Sequence, residues 1–266
     1  MNQYEIKALE TLRELIQTFK IVSVKGELED EGLSYHDLVK LKDLLSTVNI
    51  PLTVKIGGCG AVYDLMTAIN IGANNIVAPM IETPYALMKF ISMINEIVTE
   101  QERSQKNFFI NIETISGCNN IINILSNEQL DKIKGIVIGR VDLARSYNLT
   151  RDAINGKEIF DISMTLCKEI KKTKLTCGIG GGISVESINR LNSIPRGYFD
   201  FFETRKIAFD FEMIYERNIT KGLKLAIEFE YNLLRAKIEN YSRLSLEECR
   251  RSKILEERLS ELYAGE

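Results

Sequence analysis

The chain has 266 residues, of which 45% are hydrophobic, and this length suits a single α/β barrel domain of about 250 residues. A net charge of −3 and a pI near 5.6 exclude a general attraction for nucleic acid or for an anionic membrane surface. Because the chain has no long apolar run and its N-terminus is polar, we expect a cytoplasmic protein whose partners are small molecules or further copies of itself.

The cysteine and histidine content limits which metal sites and reaction mechanisms are possible. Five cysteines are widely spaced and form no CxxC pair, which predicts reduced thiols and argues against a disulfide framework or a zinc site. His36 is the only histidine, and we expect it to face solvent or to cap a helix. A mechanism that needs two histidines is therefore excluded.

Strand-like and helix-like segments alternate from residue 20 to residue 210, after an amphipathic helical pattern over 5–19. The predicted strands occupy 21–25, 51–56, 75–80, 108–113, 135–142, 175–179 and 198–202. The predicted helices occupy 35–48, 60–70, 83–99, 118–125, 159–172 and 185–191. This order predicts parallel strands with right-handed crossovers, folded as a TIM-type (β/α)8 barrel.

The prediction is one strand short of a closed eight-stranded barrel. We expect the missing strand before residue 20, where the sequence indicates a helix instead. The barrel is therefore expected either to be incomplete or to have lost its first strand.

The pattern becomes wholly helical after residue 216. An apolar stripe at helical spacing contains Ile219, Leu223, Ile227, Leu234, Ile238 and Tyr241. Ser245 and Glu248 resemble a capping box that opens a second helix. The sequence thus predicts a catalytic barrel over 1–216 and a helical hairpin over 217–266, which packs on its own barrel or holds a homo-oligomer together.

Two predicted strands deliver a carboxylate at their C-terminal ends, Glu113 in one and Asp142 in the other. In a parallel α/β barrel the active site is built at that end of the strands, so these side chains are expected to converge. Two carboxylates that leave room for water and substrate suit a hard cation, Mg²⁺ or Mn²⁺. The alternative is that Glu113 pairs with a lysine and Asp142 caps a helix.

Several segments in this order resemble the HpcH/HpaI aldolase and citrate lyase beta-subunit family of the pyruvate and phosphoenolpyruvate barrel superfamily. The stretch 77–83 resembles its VPMVET-type segment and 111–114 resembles its xIET metal strand. The stretch 139–144 resembles its GPxDLS segment, with Arg140 where proline is usual. The resemblance implies that Glu113 and Asp142 hold a metal which stabilises the enolate of a pyruvate-type substrate.

Lys55 departs from the family pattern, because it stands where the family has an arginine that contacts the substrate carboxylate. A lysine supplies the charge without the bidentate fork. Lys55 is therefore a candidate for substrate binding, for Schiff-base catalysis or merely for pairing with Glu113 or Glu82.

A second departure lies in the segment 25–32, where the family carries a D-x-E-H motif with a histidine base. Glu27 matches the glutamate, but Leu28 stands at the histidine position. We therefore expect Glu27, Glu29 or Asp30, or a metal-bound water, to move the proton. The alternative is that these acids form a solvated loop.

A glycine-rich turn follows the sixth predicted strand and opens a helix. Gly180, Gly181 and Gly182 are candidates for binding an anionic or phosphorylated substrate through backbone N–H groups, or for forming a tight turn only. Arg140 and Arg205 are expected to add positive charge nearby.

The sequence therefore predicts a metal-dependent carbon–carbon lyase of the aldolase type that acts on a 2-oxo acid. Three alternatives remain open: an acyl-CoA ester lyase of the citrate lyase beta type, a Schiff-base aldolase through Lys55, and a catalytically weakened barrel that serves as a binding subunit.

Overall fold

The computed structural model describes residues 1–263, and its centre is a closed barrel whose eight strands follow one another in chain order. The strands are β1 (Ile21–Glu27), β2 (Leu52–Lys55), β3 (Asn75–Ala78), β4 (Asn107–Ile112), β5 (Gly135–Gly139), β6 (Thr176–Gly180), β7 (Phe201–Glu203) and β8 (Ile207–Asp210). The predicted α/β barrel is confirmed. The strand that sequence reasoning missed lies after the seventh strand and not before residue 20.

The last strand closes the barrel in an unexpected direction. β1 to β7 pair in parallel, whereas β8 runs antiparallel to both β7 and β1. Only residues 204–206 separate β7 from β8, and Thr204 closes this turn by accepting from the Ile207 N–H through its hydroxyl, 3.1 Å away. A turn this short permits only an antiparallel partner, since a parallel strand needs a crossover of a dozen residues or more.

Helices surround the barrel. Each predicted helix of the barrel has a counterpart, but the predicted helix 118–125 is divided into two, and the helices over 100–103 and 140–146 were not predicted. In the part of the chain that the structure describes the α-helices are α1 (Gln3–Thr18), α2 (Tyr35–Ser46), α3 (Val62–Asn70), α4 (Pro84–Ile97), α5 (Glu100–Arg103), α6 (Ile115–Asn119), α7 (Ile121–Leu125), α8 (Arg140–Ser146), α9 (Lys157–Ile170), α10 (Val185–Leu191) and α11 (Ile219–Tyr263). Short 3-10 helices occupy Leu130–Lys132, Arg151–Asn155 and Phe211–Tyr215. None of these helices, over residues 1–263, combines the length and apolar character of a bilayer span.

Side chains fill the barrel interior below its C-terminal mouth. Val137, Phe201 and Ala208 form one buried cluster. The half-buried Phe109 packs against it, and the rings of Phe109 and Phe201 meet edge to face with 6.3 Å between their centres. Such a filled layer makes the barrel a packed core and not a pore. Polar side chains above this layer are therefore available to a site at the mouth.

The C-terminal extension is one helix, so the predicted hairpin is wrong. α11 runs without interruption through Ser245 and Glu248, which do not form the expected cap. Its first half packs on α1 and buries Leu223 and Phe229, whereas residues 241–258 are all exposed. The last three residues of the predicted extension, 264–266, lie outside the described residues.

Candidate active site at the barrel mouth

A cleft of about 1140 Å³ lies at the C-terminal ends of the parallel strands. Residues from most of the strands and from the first part of α11 line it. Glu113 and Asp142 both face this cleft, and so do Lys55, Glu27 and Glu29. The structure therefore brings together the candidate metal ligands and the candidate catalytic residues from separate elements of the barrel.

Glu113 follows β4 and is buried, with only 2% of its surface exposed. Its Oε1 accepts from the Met80 N–H and its Oε2 from Asn111 Nδ2, each at 3.0 Å. Burial raises the pKa of Glu113, the charge of Lys55 and the two hydrogen bonds oppose this rise, and the charge of Asp142 adds to it. The carboxylate is therefore fixed in orientation and lies close enough to Asp142 for the two charges to interact.

Met80 presents its N–H to Glu113 from an unusual backbone conformation. Its φ of 48° lies in the left-handed region, which is uncommon for a residue with a side chain. Strain of this kind persists where surrounding contacts fix it, and it often occurs at functional sites. At this position it turns the amide toward the site at the end of β3.

Gly139, at the end of β5, leaves space for the Glu113 carboxylate. A Cβ at this position would lie 2.4 Å from Oε2 of Glu113, inside van der Waals contact. The glycine is therefore needed for the observed position of the carboxylate.

Replacing Gly139 by Ala is expected to displace Glu113 and to weaken binding of Mn²⁺ by about 10- to 100-fold, the usual cost of disturbing a residue that orients a ligand. Isothermal titration calorimetry measures this loss. Gly58→Ala is the control, because a Cβ at Gly58 meets no atom within 4 Å. Equal Mn²⁺ affinity in the two variants would contradict the role of Gly139.

Asp142 lies in the first turn of α8, so the prediction that it ends a strand is wrong. β5 stops at Gly139 and the helix begins at the next residue. The Asp142 side chain is 30% exposed, and Arg145 Nη1 approaches its Oδ1 at 3.1 Å. It does not cap the helix, since Gly139 occupies the N-cap position.

Lys55 is buried at the end of β2 among acidic side chains. Its Nζ lies 3.0 Å from Glu29 Oε2 and 3.7 Å from Glu113 Oε1. Burial acts to lower the pKa of Lys55, but the charges of Glu113, Glu27 and Glu29 outweigh burial and raise it. The amine therefore stays protonated, which suits a cation that binds a carboxylate and does not suit a nucleophile.

Sequence reasoning missed an ion pair that joins β1 to β7 at the mouth, next to Lys55 on β2. Lys25 Nζ lies 2.5 Å from Glu203 Oε1 and 3.6 Å from Glu27 Oε1, and all three side chains are buried. The predicted seventh strand ended at Phe202, one residue too early, so Glu203 was not recognised as a strand-end carboxylate.

The glycine-rich turn lines the cleft, but each glycine has a packing reason. A Cβ at Gly180 would lie 2.9 Å from Glu203 Oε1, so this glycine leaves room for that carboxylate. Gly181 has a φ of +83°, and a Cβ there would lie 2.7 Å from the Val141 backbone nitrogen. Gly182 also has a positive φ, of +61°. The tight-turn interpretation therefore accounts for Gly181 and Gly182, whereas Gly180 ends β6 and makes room for Glu203.

Arg140 lies beneath this turn and outside the cleft lining, so a role in substrate binding does not fit its placement. It is only 4% exposed, and its guanidinium donates to the carbonyl oxygens of Gly180 and Gly181 at 3.2 and 2.6 Å. Burial lowers the pKa of Arg140 to about 10, which leaves it cationic at neutral pH. Arg140 therefore supports the turn.

The remaining candidates divide between the cleft and the surface. Asp30 lines the cleft and pairs with Arg205 at 2.8 Å. His36 is exposed on α2 and takes no part in the cleft, as expected. Leu28 packs against the hydrophobic core and also lies outside the cleft lining.

The donor set fits a divalent cation. In residues 1–263 no group of three or more acidic, histidine or cysteine side chains is arranged as a preformed metal site, so water or substrate would complete the coordination. Asn111 Oδ1 is buried without a hydrogen-bond partner among the described residues, and it belongs to the side chain that donates to Glu113. Carboxylate and amide oxygens are the ligands that Mg²⁺ and Mn²⁺ prefer.

The charge balance of the mouth also favours a cation. Among the buried acidic and basic side chains, those that line the cleft are Glu27, Glu113, Glu203, Lys25 and Lys55, so acids outnumber bases there, whereas buried Arg140 and Lys206 lie outside the lining. Asp142 and Glu29 add further negative charge beside them. A buried net charge is costly unless an opposite charge is bound.

Comparison with known proteins agrees with this architecture. The sequence model of the HpcH/HpaI aldolase/citrate lyase family matches residues 36–179. No curated protein matches the chain significantly. Among solved structures, an HpcH/HpaI aldolase from Desulfitobacterium hafniense DCB-2 is 10% identical with a TM-score of 0.59, over 82% of this chain and 87% of that one.

Two further structures are similar in fold. A HpcH/HpaI aldolase/citrate lyase family protein from Burkholderia cenocepacia J2315 is 12% identical with a TM-score of 0.60, over 83% of this chain and 89% of that one. The citrate synthase SbnG is 14% identical with a TM-score of 0.58, over the same shares of 83% and 89%. The family match covers more than half of the 266 residues. The chain therefore belongs to the HpcH/HpaI aldolase/citrate lyase family.

Proposed function

We propose that this protein is a metal-dependent carbon–carbon lyase of the aldolase type that cleaves or forms an adduct of a 2-oxo acid. The observation that carries the proposal is the convergence of Glu113 and Asp142 at a barrel mouth with excess negative charge and a free amide oxygen on Asn111. The family contains aldolases and citrate lyases, which supports a lyase at the coarse level.

Glu113 and Asp142 would hold Mg²⁺ or Mn²⁺. When bound, such a cation acts as a Lewis acid for the oxygens of a 2-oxo acid and stabilises the negative charge of an enolate. Met80 and Asn111 keep the Glu113 carboxylate in place through their hydrogen bonds. This preorganisation means that little rearrangement is needed when charge develops in the transition state.

Lys55 supplies a fixed positive charge beside Glu113, at 3.7 Å. It can attract the carboxylate of a 2-oxo acid, without the two parallel hydrogen bonds of an arginine. The second substrate is expected to meet the cleft rim, where Arg151 contributes positive charge, while Arg145 pairs with Asp142 and Lys224 with Glu228. An anionic or phosphorylated second substrate is consistent with this rim.

Glu27 is the carboxylate best placed to move the proton. In the cleavage direction it takes the proton of the hydroxyl on the adduct, the adjacent carbon–carbon bond breaks, and the electron pair passes to the 2-oxo group. The resulting enolate carbon then takes the same proton back from Glu27, so that the carboxylate is regenerated. The reverse sequence forms the bond, and the similar structure named citrate synthase fits that direction.

The alternatives differ in what they require. A Schiff-base aldolase needs a neutral amine, whereas acidic neighbours keep Lys55 protonated. An acyl-CoA ester lyase would share the ligands and would need a nucleotide-binding surface in addition. A binding subunit would keep the metal site without turnover.

The proposal predicts that EDTA abolishes activity toward 2-oxo acid adducts and that Mg²⁺ or Mn²⁺ restores it. Borohydride added with pyruvate is expected to leave the protein mass unchanged in intact-mass spectrometry, because the protonated Lys55 forms no imine. A chelator-resistant enzyme with a reduced adduct on Lys55 would transfer the assignment to the Schiff-base mechanism. Metal binding without turnover would support the binding subunit.

A further inference from the structure

Three charged side chains form a chain across one side of the mouth, from β7 to β1. Glu203 contacts Lys25 at 2.5 Å, and Lys25 lies 3.6 Å from Glu27. Exposure is 7% for Glu203, 8% for Lys25 and 7% for Glu27. Because burial of such a group is expensive and adds little to stability, it calls for a functional explanation.

Glu27 differs from Glu203, Asp142 and Asp30 in its hydrogen bonding. Glu29 Oε2 also has no hydrogen-bond partner among the described residues, but it lies 3.0 Å from Lys55 Nζ. Glu203 accepts from Lys25, Asp142 accepts from Arg145 and Asp30 accepts from Arg205. Among the described residues, no side chain or backbone group donates a hydrogen bond to the Glu27 carboxylate at the distances found for these acids. The Glu27 oxygens thus face the cleft near the positive charge of Lys25, and no donor from the described residues competes with substrate for them.

We infer that Lys25 and Glu203 are positioning residues for Glu27, and that together they set the basicity of the carboxylate that moves the proton. This inference rests on the proposed lyase function.

The close contact between Lys25 and Glu203 explains how these two residues act on Glu27. Lys25 has three N–H donors, and Glu203 draws the ammonium group to its own side of the barrel. Glu27 keeps the favourable field of the ammonium at 3.6 Å but is not tied to it by a short hydrogen bond. The Glu27 carboxylate therefore stays open to the cleft, where it can accept a proton from substrate.

The neighbouring elements contribute further charges around Glu27. Lys55 faces it from β2, and their backbones are paired in register. Arg205, after β7, and Glu230, on α11, also interact with its charge. These groups stay in place in the variants described next, so a change between variants reports on Lys25 and Glu203.

The two positioning residues are expected to act in opposite directions. In Lys25→Met the carboxylate loses a positive neighbour, so the acidic limb of the kcat profile moves to higher pH, by about one to three units. In Glu203→Gln the ammonium is released toward Glu27, so the acidic limb moves to lower pH and kcat falls by about 10- to 100-fold. If Lys25 and Glu203 had only a structural role, both variants would lose activity, and the acidic limb would not move in opposite directions.

Glu27→Gln is the reference variant, because it removes the proposed base itself, and kcat is expected to fall by about 10²- to 10⁴-fold. The matched controls are Lys20→Met and Asp210→Asn, because Lys20 and Asp210 form a lysine–carboxylate pair, at 2.6 Å, at the opposite end of the barrel. These controls are expected to keep the wild-type profile. Circular dichroism melting identifies any variant that does not fold.

A measurement without turnover separates this inference from the proposed function. ¹³C NMR follows the titration of the Glu27 carboxyl in the metal-free protein. Its midpoint is expected to move to higher pH in Lys25→Met and to lower pH in Glu203→Gln. If the midpoint moves in this way but wild-type protein cleaves no 2-oxo acid adduct, the proposed function fails, while the effect of Lys25 and Glu203 on Glu27 is still supported. If wild-type protein is active but neither variant alters the rate profile or the titration, the inference is overturned.

Discussion

Glu113→Gln and Asp142→Asn are each expected to weaken Mn²⁺ binding by more than about a hundredfold, because substitution of residues that only orient a metal ligand already costs about 10- to 100-fold. Each substitution keeps the shape of the side chain and removes its charge. Glu113→Gln leaves Lys55 with Glu29 as its partner, at 3.0 Å. Asp142→Asn removes a first-turn carboxylate, which costs about 0.3–1 kcal/mol of helix stability.

Both variants are therefore expected to fold, with melting temperatures within a few degrees of wild type, while calorimetry shows the loss of Mn²⁺ binding. Glu82→Gln is the matched control. Glu82 is a neighbouring carboxylate that accepts from the Thr114 hydroxyl at 2.7 Å and lies outside the cleft lining. Wild-type Mn²⁺ affinity in both Glu113→Gln and Asp142→Asn would refute the metal assignment, and an equal loss in Glu82→Gln would show that the effect is not specific to the site.

Leu234→Asp combined with Ile238→Asp is expected to dissociate a homo-oligomer built on α11. The apolar stripe divides along this helix: Ile219 and Leu223 are buried on the chain's own barrel, whereas Leu234 and Ile238 are 55% and 50% exposed. Tyr241 continues the exposed face, three residues beyond Ile238. Burying a whole leucine or isoleucine side chain stabilises by about 1.5–3 kcal/mol, so a second copy is a natural partner for this face.

Light scattering should give wild-type protein a mass of at least twice the 30.3 kDa of one chain. The double variant should fall to the mass of one chain, because two carboxylates replace the apolar contact. Asn95→Asp, which adds a charge to the exposed face of α4, should keep the wild-type mass. A monomeric wild type at micromolar concentration would refute the oligomer prediction.

Hydrophobic patterning predicted the barrel strands well because each strand is short, apolar and followed by a helix signal. β3 begins at Asn75 and β5 at Gly135, as expected, and α10 matches the predicted 185–191 at both ends. Prediction failed for β8, which follows β7 after three residues. No helix separates these strands, so the repeating βα pattern gave no signal for a further strand.

In the C-terminal helix, the sequence predicted a boundary that the structure does not contain. Ser245 and Glu248 have the spacing of a capping box, yet α11 continues through them. A serine caps the start of a helix only where its own backbone is not helical, and the residues around Ser245 are good helix formers that keep the backbone helical. Local signals of this kind cannot decide between a helix interior and a helix start.

The sequence by itself determined the alternation of strands and helices and the presence of Glu113 at a strand end, because both follow from local periodicity. Only the tertiary structure decided the pairing of Lys25 with Glu203, which are 178 residues apart in the chain, and the placement of Arg140 beneath the glycine turn. The physical reason is barrel closure: the antiparallel β8 joins β7 to β1 and brings their inward side chains to the same side of the mouth. No local pattern records a contact that exists only when the ends of the sheet meet.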